Sequence, residues 1–430
     1  MNTDTIKLEQ AQAAREDANW SLVIQCLQQL ILEAGSKVDL FERSKRSQIL
    51  DLALEVLLWG DFHQRWDIAK MFPRIGEMAI APLIEILTEE EDEELCWFAG
   101  RILGDFNHPT AITALVEVIK TTASEELRSI CAASLGQIGS NAIAALTELL
   151  ADEDTRLIAV TSLAYIRNSE TIPPLISVVQ SPQSAVRAAA IEALSSFHDS
   201  QIPPILLNAL DDISAAVRRE AVLGLGFRRD LREELNLVNR LLPLLHDFNI
   251  NVCSATAIAL GRLGTDPAAI GLYQVLQSAY TPDALQLEII RALGRIGTDL
   301  AGEYLHSYLQ QSRSVRICQE IITILGRVTT QVKVTTEVLI EMLHSSHPAT
   351  NYPSVKGAIA LSLGYLGELQ AMDVLTELLA DPDMSVKLHA IAALKQLAPE
   401  TAHQQLQQLA TNTTLQPDLQ QGVAIALSEW

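Results

Sequence analysis

The sequence predicts an all-α fold, a right-handed α-solenoid of about 11–12 stacked helical hairpins. Three observations predict it. A Leu-Gly or Leu-Ala pair returns along the chain at Leu103-Gly104, Leu135-Gly136, Leu163-Ala164, Leu225-Gly226, Leu260-Gly261, Leu293-Gly294, Leu325-Gly326 and Leu363-Gly364. Degenerate copies at Phe72, Leu194, Leu394 and Leu427 fill the gaps, so landmarks recur about every 28–38 residues, a period typical of helical repeats. Between landmarks the apolar residues step by three and four, as helices require. Composition is the third observation: 48% hydrophobic residues with only 5% aromatics suits Ala, Leu and Ile packed between helices.

Residues 1–60 keep helical spacing, for example at Val23, Leu27, Leu30 and Ile49, Leu52, Val56, but lack the landmark, which predicts an N-terminal helical cap. Residues 61–430 are expected to form the solenoid as one continuous domain. In each repeat the first segment, helix A, ends at the landmark. The run from Ser184 to Leu194 is an example, with small apolar residues on one face and Arg187 near its start. Helix B follows after a short turn, with apolar sets such as Ile143, Leu146, Leu149, Leu150 and Ile172, Leu175, Val178, Val179, repeated as Met372, Leu375, Leu378, Leu379. Pro82, Pro173, Pro174, Pro203 and Pro204 fall in the first turn of B helices, where a missing N–H breaks no intrahelical bond. Asp-rich turns such as Ala380-Asp381-Pro382-Asp383 end helix B and cap the next helix A. One hairpin cannot bury its apolar stripe alone, so hairpins stack, each adding about 10 Å.

The formal charge of −22 repels phosphate backbones and anionic lipid, leaving protein partners as the expected class and disfavouring nucleic acid. The N-terminus has no basic region followed by an apolar run, and no segment reaches the roughly 18 apolar residues of a spanning helix. A cytoplasmic protein without membrane insertion is expected.

The five cysteines, Cys26, Cys96, Cys131, Cys253 and Cys318, show no CxxC and an odd total, which argues for a reducing compartment and against a disulfide framework. Counting seven residues back from each landmark gives a ladder: Cys96, Arg128, Arg156, Arg187, Arg218, Cys253, Gln286, Cys318, Lys356, Lys387 and Gln420. Its basic members are expected to pair with acidic turns at Asp154, Asp211, Asp212, Asp381 and Asp383. Cys96, Cys253 and Cys318 either fill a small half-buried site where that pair is missing or mark a thiol or cluster-related site. Cys253 and Cys318 lie two repeats apart, roughly 20 Å, too far to share one metal within a chain.

Helix pairs of about 31 residues, Asp-rich turns and the Val-Arg start of helix A together resemble the HEAT repeat family over roughly residues 61–430. The similarity is nearest to the short HEAT-like repeats first named from phycobilisome lyases, as in Ser184 to Leu194 and Asp381 to Lys387. Three functions are known in that family. Deoxyhypusine hydroxylases hold two irons through His-Glu pairs. None of the nine histidines here precedes Glu, and His198-Asp199 and His246-Asp247 fall at different hairpin positions, where a helix-terminal His beside a turn Asp is expected. Bilin lyases attach linear tetrapyrroles to phycobiliproteins and would need an apolar groove, which Trp59, Trp66 and Trp97 could line; packing between the cap and the first repeat is the other reading of these rings. Met71 to Gly76 and Leu388 to Leu397 are similar to segments of a cyanobacterial group of HEAT-repeat proteins associated with an A-type iron–sulfur carrier. That resemblance implies a non-catalytic scaffold with no intrinsic cofactor, any transient cluster being held mainly by the partner's thiolates, while the lyase resemblance implies bilin handling instead.

Other enzyme signatures are missing: Gly224-Leu225-Gly226 lacks the third glycine of a dinucleotide turn, and there is no phosphate loop or zinc motif. Two repeats exceed the mean length, and loops at such places often bind. One concentrates Arg228, Arg229 and Arg232, which either pair with Asp230, Glu233 and Glu234 or contact an acidic partner. The other runs from His344 to Pro353 and carries His344 and His347, a solvated turn or a weak metal signal. The acidic run from Glu89 to Glu94 is a solvated helix start or a docking point for a basic partner.

Overall fold

A computed structural model describes residues 3–34, 43–345, 347–412 and 414–430. Helix follows helix, no strand occurs among the described residues, and the chain divides into two compact units, Met1–Ile202 and Pro203–Trp430. Part of residues 1–60 and Ser346 of the His344 loop lie outside the described residues.

The first unit begins with helices Thr3–Glu16, Trp20–Ala34 and Arg43–Trp59. Val23, Leu27, Leu30, Ile49, Leu52 and Val56 are buried, so the spacing seen in the sequence is the packed face. After Phe62–Ala69 and Ile80–Glu89 come hairpins whose A helices are Glu93–Leu103, Glu125–Ile138, Arg156–Ile166 and Ser184–Leu194, each packed on the next. The second unit repeats the arrangement with A helices Ala215–Gly226, Ile250–Leu263, Asp283–Ile296, Val315–Leu325, Pro353–Leu366 and Met384–Leu397. Both units are α-solenoid in construction, with A helices in one layer and B helices in the other.

The structure explains the landmark. Its leucine is fully buried at Leu103, Leu135, Leu163, Leu225, Leu260, Leu293, Leu325 and Leu363. Its glycine faces the next A helix at the residue preceding that helix's own landmark leucine, which is usually small. A Cβ on Gly104 would stand 2.9 Å from Ser134 Cα, one on Gly226 2.8 Å from Ala259 Cα, one on Gly261 2.9 Å from Ala292 Cα, and one on Gly364 2.8 Å from Ala393 Cα. The repeating unit is therefore small-Leu-Gly, in which two small residues let successive backbones touch.

Helix ends follow the turn chemistry. Asp92 accepts the N–H groups of Glu94 and Leu95, and Asp383 those of Ser385 and Val386, while Ser124, Asn249 and Ser314 cap other A helices. Gly264, Gly297 and Gly367 close A helices in the left-handed region. Pro173 and Pro174 open a B helix, as expected. The stretch Glu125–Leu149 is apolar and long enough to span a membrane by composition, a correction to the sequence reading. It is not one straight helix: Gly139, at φ +84°, ends Glu125–Ile138, and a 3-10 turn precedes Ile143–Leu149.

Candidate partner-binding surfaces

The ladder does more than pair with turn carboxylates. Arg128 donates to the carbonyl of Thr122 (2.7 Å), Arg156 to Leu150 (2.7 Å), Arg187 to Ser181 (2.8 Å) and Arg218 to Asp212 (2.7 Å), each six residues upstream. The thiols at the same register do likewise: Cys96 Sγ to Glu90 (3.3 Å), Cys253 Sγ to Asp247 (3.2 Å) and Cys318 Sγ to Ser312 (3.4 Å). A B helix ends with carbonyls that lack intrahelical donors, and the first turn of the following A helix points a side chain back at one. Arginine and cysteine both meet that need, which is why they alternate in one column. Carboxylate pairing is an addition to it. Arg218 also grips Asp247, one repeat on, through Nε–Oδ2 (2.7 Å) and Nη2–Oδ1 (2.8 Å), and Lys356 reaches Asp381.

All five cysteines are buried, and burial pushes the thiol pKa of Cys96, Cys253 and Cys318 up, with the carboxylates of Asp92 and Asp247 raising Cys96 and Cys253 further. Cys131 is pushed up to about 12, chiefly by burial. No group of three or more His, Cys, Asp or Glu side chains is placed to hold a metal among the described residues. Neutral, enclosed thiols are poor nucleophiles. Iodoacetamide at pH 8 is therefore expected to alkylate the native protein at least about 100-fold more slowly than the unfolded chain, read by mass spectrometry; rapid single-site labelling would contradict this placement.

The aromatic candidates separate. Trp59 is 72% exposed and makes no ring contact among the described residues. Trp66 and Trp97 stack with centroids 6.4 Å apart, joined by Phe62 and Phe98, and the Arg101 guanidinium lies 4.4 Å over Trp66. Beside them Phe62, Trp97, Glu93, Glu94, Glu126 and Leu127 border a cleft of about 390 Å³. Arg65 holds the acidic run in place, donating to Glu94 (2.8 Å), Asp92 (3.2 Å) and the Leu58 carbonyl (3.1 Å).

The extra arginines are engaged within the chain. Arg228 is buried and donates to Asp230 from Nη2 (2.8 Å) and Nε (3.0 Å). Arg232 binds Glu233 (2.8 Å) and the Leu263 carbonyl (2.8 Å), and Arg229 lies against Gly264, so both sit at the C-terminal end of Ile250–Leu263 where its carbonyls accumulate negative charge. His344 Nε2 is 3.2 Å from Glu377, whereas His347 Nδ1 accepts the Ala349 N–H (3.2 Å), so the two imidazoles serve different partners. Asp199 and Asp247 accept the N–H groups of Gln201 and Asn249, the turn role expected of them.

Two surfaces of the second unit escaped the sequence reading. Ile213, Phe248 and Tyr280, in successive inter-repeat turns, are almost wholly exposed. Two residues after the landmark leucine, successive A helices carry Phe227, Arg262, Arg295, Arg327 and Tyr365. Arg262 stacks at 3.9 Å on Phe227, burial and then the neighbouring charge of Arg295 lower its pKa, and its Nη1 has no hydrogen-bond partner. The available signal was Leu-Gly-Arg in three consecutive repeats: Leu260-Gly261-Arg262, Leu293-Gly294-Arg295 and Leu325-Gly326-Arg327.

Among solved structures the chain is similar to Kap95p bound to RanGDP, at 14% identity and TM-score 0.54, covering 99% of this chain and 66% of that one. It is similar to importin beta at 14% identity and TM-score 0.54, covering 97% and 64%, and to a Kap121p mutant at 12% and 0.51, covering 95% and 55%. The chain thus spans less than two thirds of each of these proteins, and the likeness is one of fold. No curated protein matches the sequence. HEAT repeats match residues 80–158, 151–226 and 337–428, more than half of the sequence, and with the stacked hairpins described above this chain belongs to the HEAT repeat family.

Proposed function

We propose that this protein is a non-catalytic scaffold or adaptor that holds protein partners against its repeats, with an A-type iron–sulfur carrier as the leading partner in a cytoplasm of cyanobacterial type. The observation that carries the binding role is the exposure of Ile213, Phe248 and Tyr280 on three successive inter-repeat turns, since large apolar side chains held in water are what a partner surface covers. The carrier is favoured by the resemblance at Met71 to Gly76 and Leu388 to Leu397. With Cys96, Cys253 and Cys318 buried and bonded to carbonyls, the partner's thiolates would hold any cluster, as cargo. The second reading, bilin handling, is favoured by the Phe62–Trp97 cleft, but Glu93, Glu94 and Glu126 on its rim repel the propionates of a linear tetrapyrrole.

The test is capture of a purified A-type carrier by the full-length protein, measured by calorimetry. Stoichiometric binding without turnover is expected, retained when Cys96, Cys253 and Cys318 are all changed to alanine. Changing Ile213, Phe248 and Tyr280 together to aspartate is expected to weaken it at least about tenfold while the melting temperature falls by no more than about 6 °C, because exposed substitutions rarely cost more than about 0.5 kcal/mol each. Tetrapyrrole absorbance carried from pigment-producing cells, with transfer to a phycobiliprotein, would replace the carrier by the bilin reading; binding of neither protein would end both.

A further inference from the structure

Arg262, Arg295 and Arg327 bring three positive charges into one register of a chain of net charge −22. Several arginines near it are held by carboxylates: Arg218 by Asp247, Arg228 by Asp230, Arg232 by Glu233, and Arg291 by Glu288 and Glu320, each at 2.7–2.8 Å. Arg262, Arg295 and Arg327 have no carboxylate partner among the described residues, although acidic side chains outnumber basic ones, 53 to 31. Arg295 and Arg327 are exposed, and Arg262 is held half-buried on the ring of Phe227. The aromatic ends of the column, Phe227 and Tyr365, are 64% and 63% exposed. Between Arg291 and Arg327 opens a cleft of about 310 Å³ with Gly294, Gly297 and Gly302 in its wall and Thr298 and Gln331 as polar lining. Three like charges side by side repel one another, and an incoming anion relieves that repulsion while satisfying the free guanidinium N–H groups.

We infer that the column Phe227, Arg262, Arg295, Arg327 and Tyr365 is the docking track for an extended acidic segment of the protein partner, its carboxylates seated on the three arginines and its apolar residues on the terminal rings. The spacing selects the conformation. Packed helices lie about 8–10 Å apart, so the arginines recur at roughly that interval. A polyproline II segment rises about 3.1 Å per residue and returns to the same face every third residue, about 9 Å on, whereas a β-strand presents residues three apart on opposite faces. The segment that fits therefore carries Asp or Glu at every third position. Nucleic acid fits less well, because its continuous charge would extend past three arginines onto an acidic surface.

The inference rests on the protein-binding reading above and is tested apart from it. The probe is a fluorescent peptide of about twelve residues, proline-rich, with glutamate at every third position, against the full chain in an anisotropy titration. Saturable binding is expected, weakened by raising salt from about 50 to 500 mM. Arg295→Ala and Arg327→Ala are each expected to cost about tenfold in affinity, and a peptide of the same composition with its glutamates adjacent is expected to bind about tenfold more weakly. Both arginines are exposed, so circular dichroism should give one melting curve for wild type and variants. No saturable binding to the wild type, or equal binding by wild type and the double variant, overturns the inference, as does tighter binding of a single-stranded RNA through the same arginines. Loss of carrier capture by the wild type instead overturns the scaffold reading, so the two failures are distinct.

Discussion

Gly261→Leu is expected to lower the stability of the second unit by at least about 3 kcal/mol, an effect of about 6–12 °C in melting temperature for a unit of roughly 200 residues. A Cβ there would stand 2.9 Å from Ala292 Cα and 3.0 Å from its Cβ, and the obstacle is the next A helix, which cannot swing aside as a side chain can. The two helices would have to separate along their whole contact, taking the buried Leu260 and Leu293 with them. Gly136→Ala, in the first unit, is the contrasting change. Its new methyl would meet the Tyr165 ring at 3.3 Å, a side chain 71% exposed and free to move. The gain in helix propensity from Gly to Ala, up to about 1 kcal/mol, then offsets most of the crowding. Urea or thermal melts followed by circular dichroism read both changes. If Gly261→Leu melts with the wild type, close backbone approach is not what the landmark glycine serves.

Arg218→Ala is expected to cost about 3 kcal/mol. The pair it breaks is enclosed, with side chains 15% and 9% exposed, and the loss leaves the Asp247 carboxylate with only the Asn249 N–H and the Asp212 carbonyl without its donor. The effect has a definite pH dependence. The Arg218 guanidinium, by its paired hydrogen bonds, holds the Asp247 carboxyl below its ordinary value of 3.8. A depressed carboxyl contributes stability above its unfolded pKa and loses it as pH falls through the folded one. The difference between wild type and Arg218→Ala should therefore be full above about pH 5 and shrink below about pH 4. A difference that is flat down to pH 2, or that grows with acid, would mean the bridge contributes nothing through ionised Asp247. A double-mutant cycle with Asp247→Asn isolates the coupling.

Most of the fold could be read from the chain, and rather little of its surface. Leu-Gly at fixed intervals, the three-and-four spacing and prolines in first turns are local records, each written within about 35 residues, and they carried the helical hairpins into the structure. The contacts of Arg228 with Asp230, of Arg232 with Glu233, of Asp92 with the Glu94 N–H and of Asp247 with the Asn249 N–H are likewise local, each made within two residues along the chain. The ladder was visible as a column, and one expected pair, Lys356 with Asp381, is present, but the contact its arginines and cysteines share was not visible. Its acceptor is a main-chain carbonyl, which has no letter in the sequence, so Arg187 and Cys253 looked like different features while serving one need.

What the sequence alone determined is the repeat: where helices start and stop, which stripe of each is buried, and that hairpins of this kind must stack to cover it. Only the tertiary structure decided what meets across repeats: that Gly261 gives room to Ala292, that Arg218 closes on Asp247, and that Arg262, Arg295 and Arg327 share one column with no carboxylate partner among the described residues. The physical reason is that helix periodicity fixes the direction of a side chain within its own helix, whereas the angle and offset at which one hairpin lies on the next arise from the summed packing of both faces. A shift of a few ångströms in that packing would leave the periodicity untouched and bring a different set of residues together on the surface.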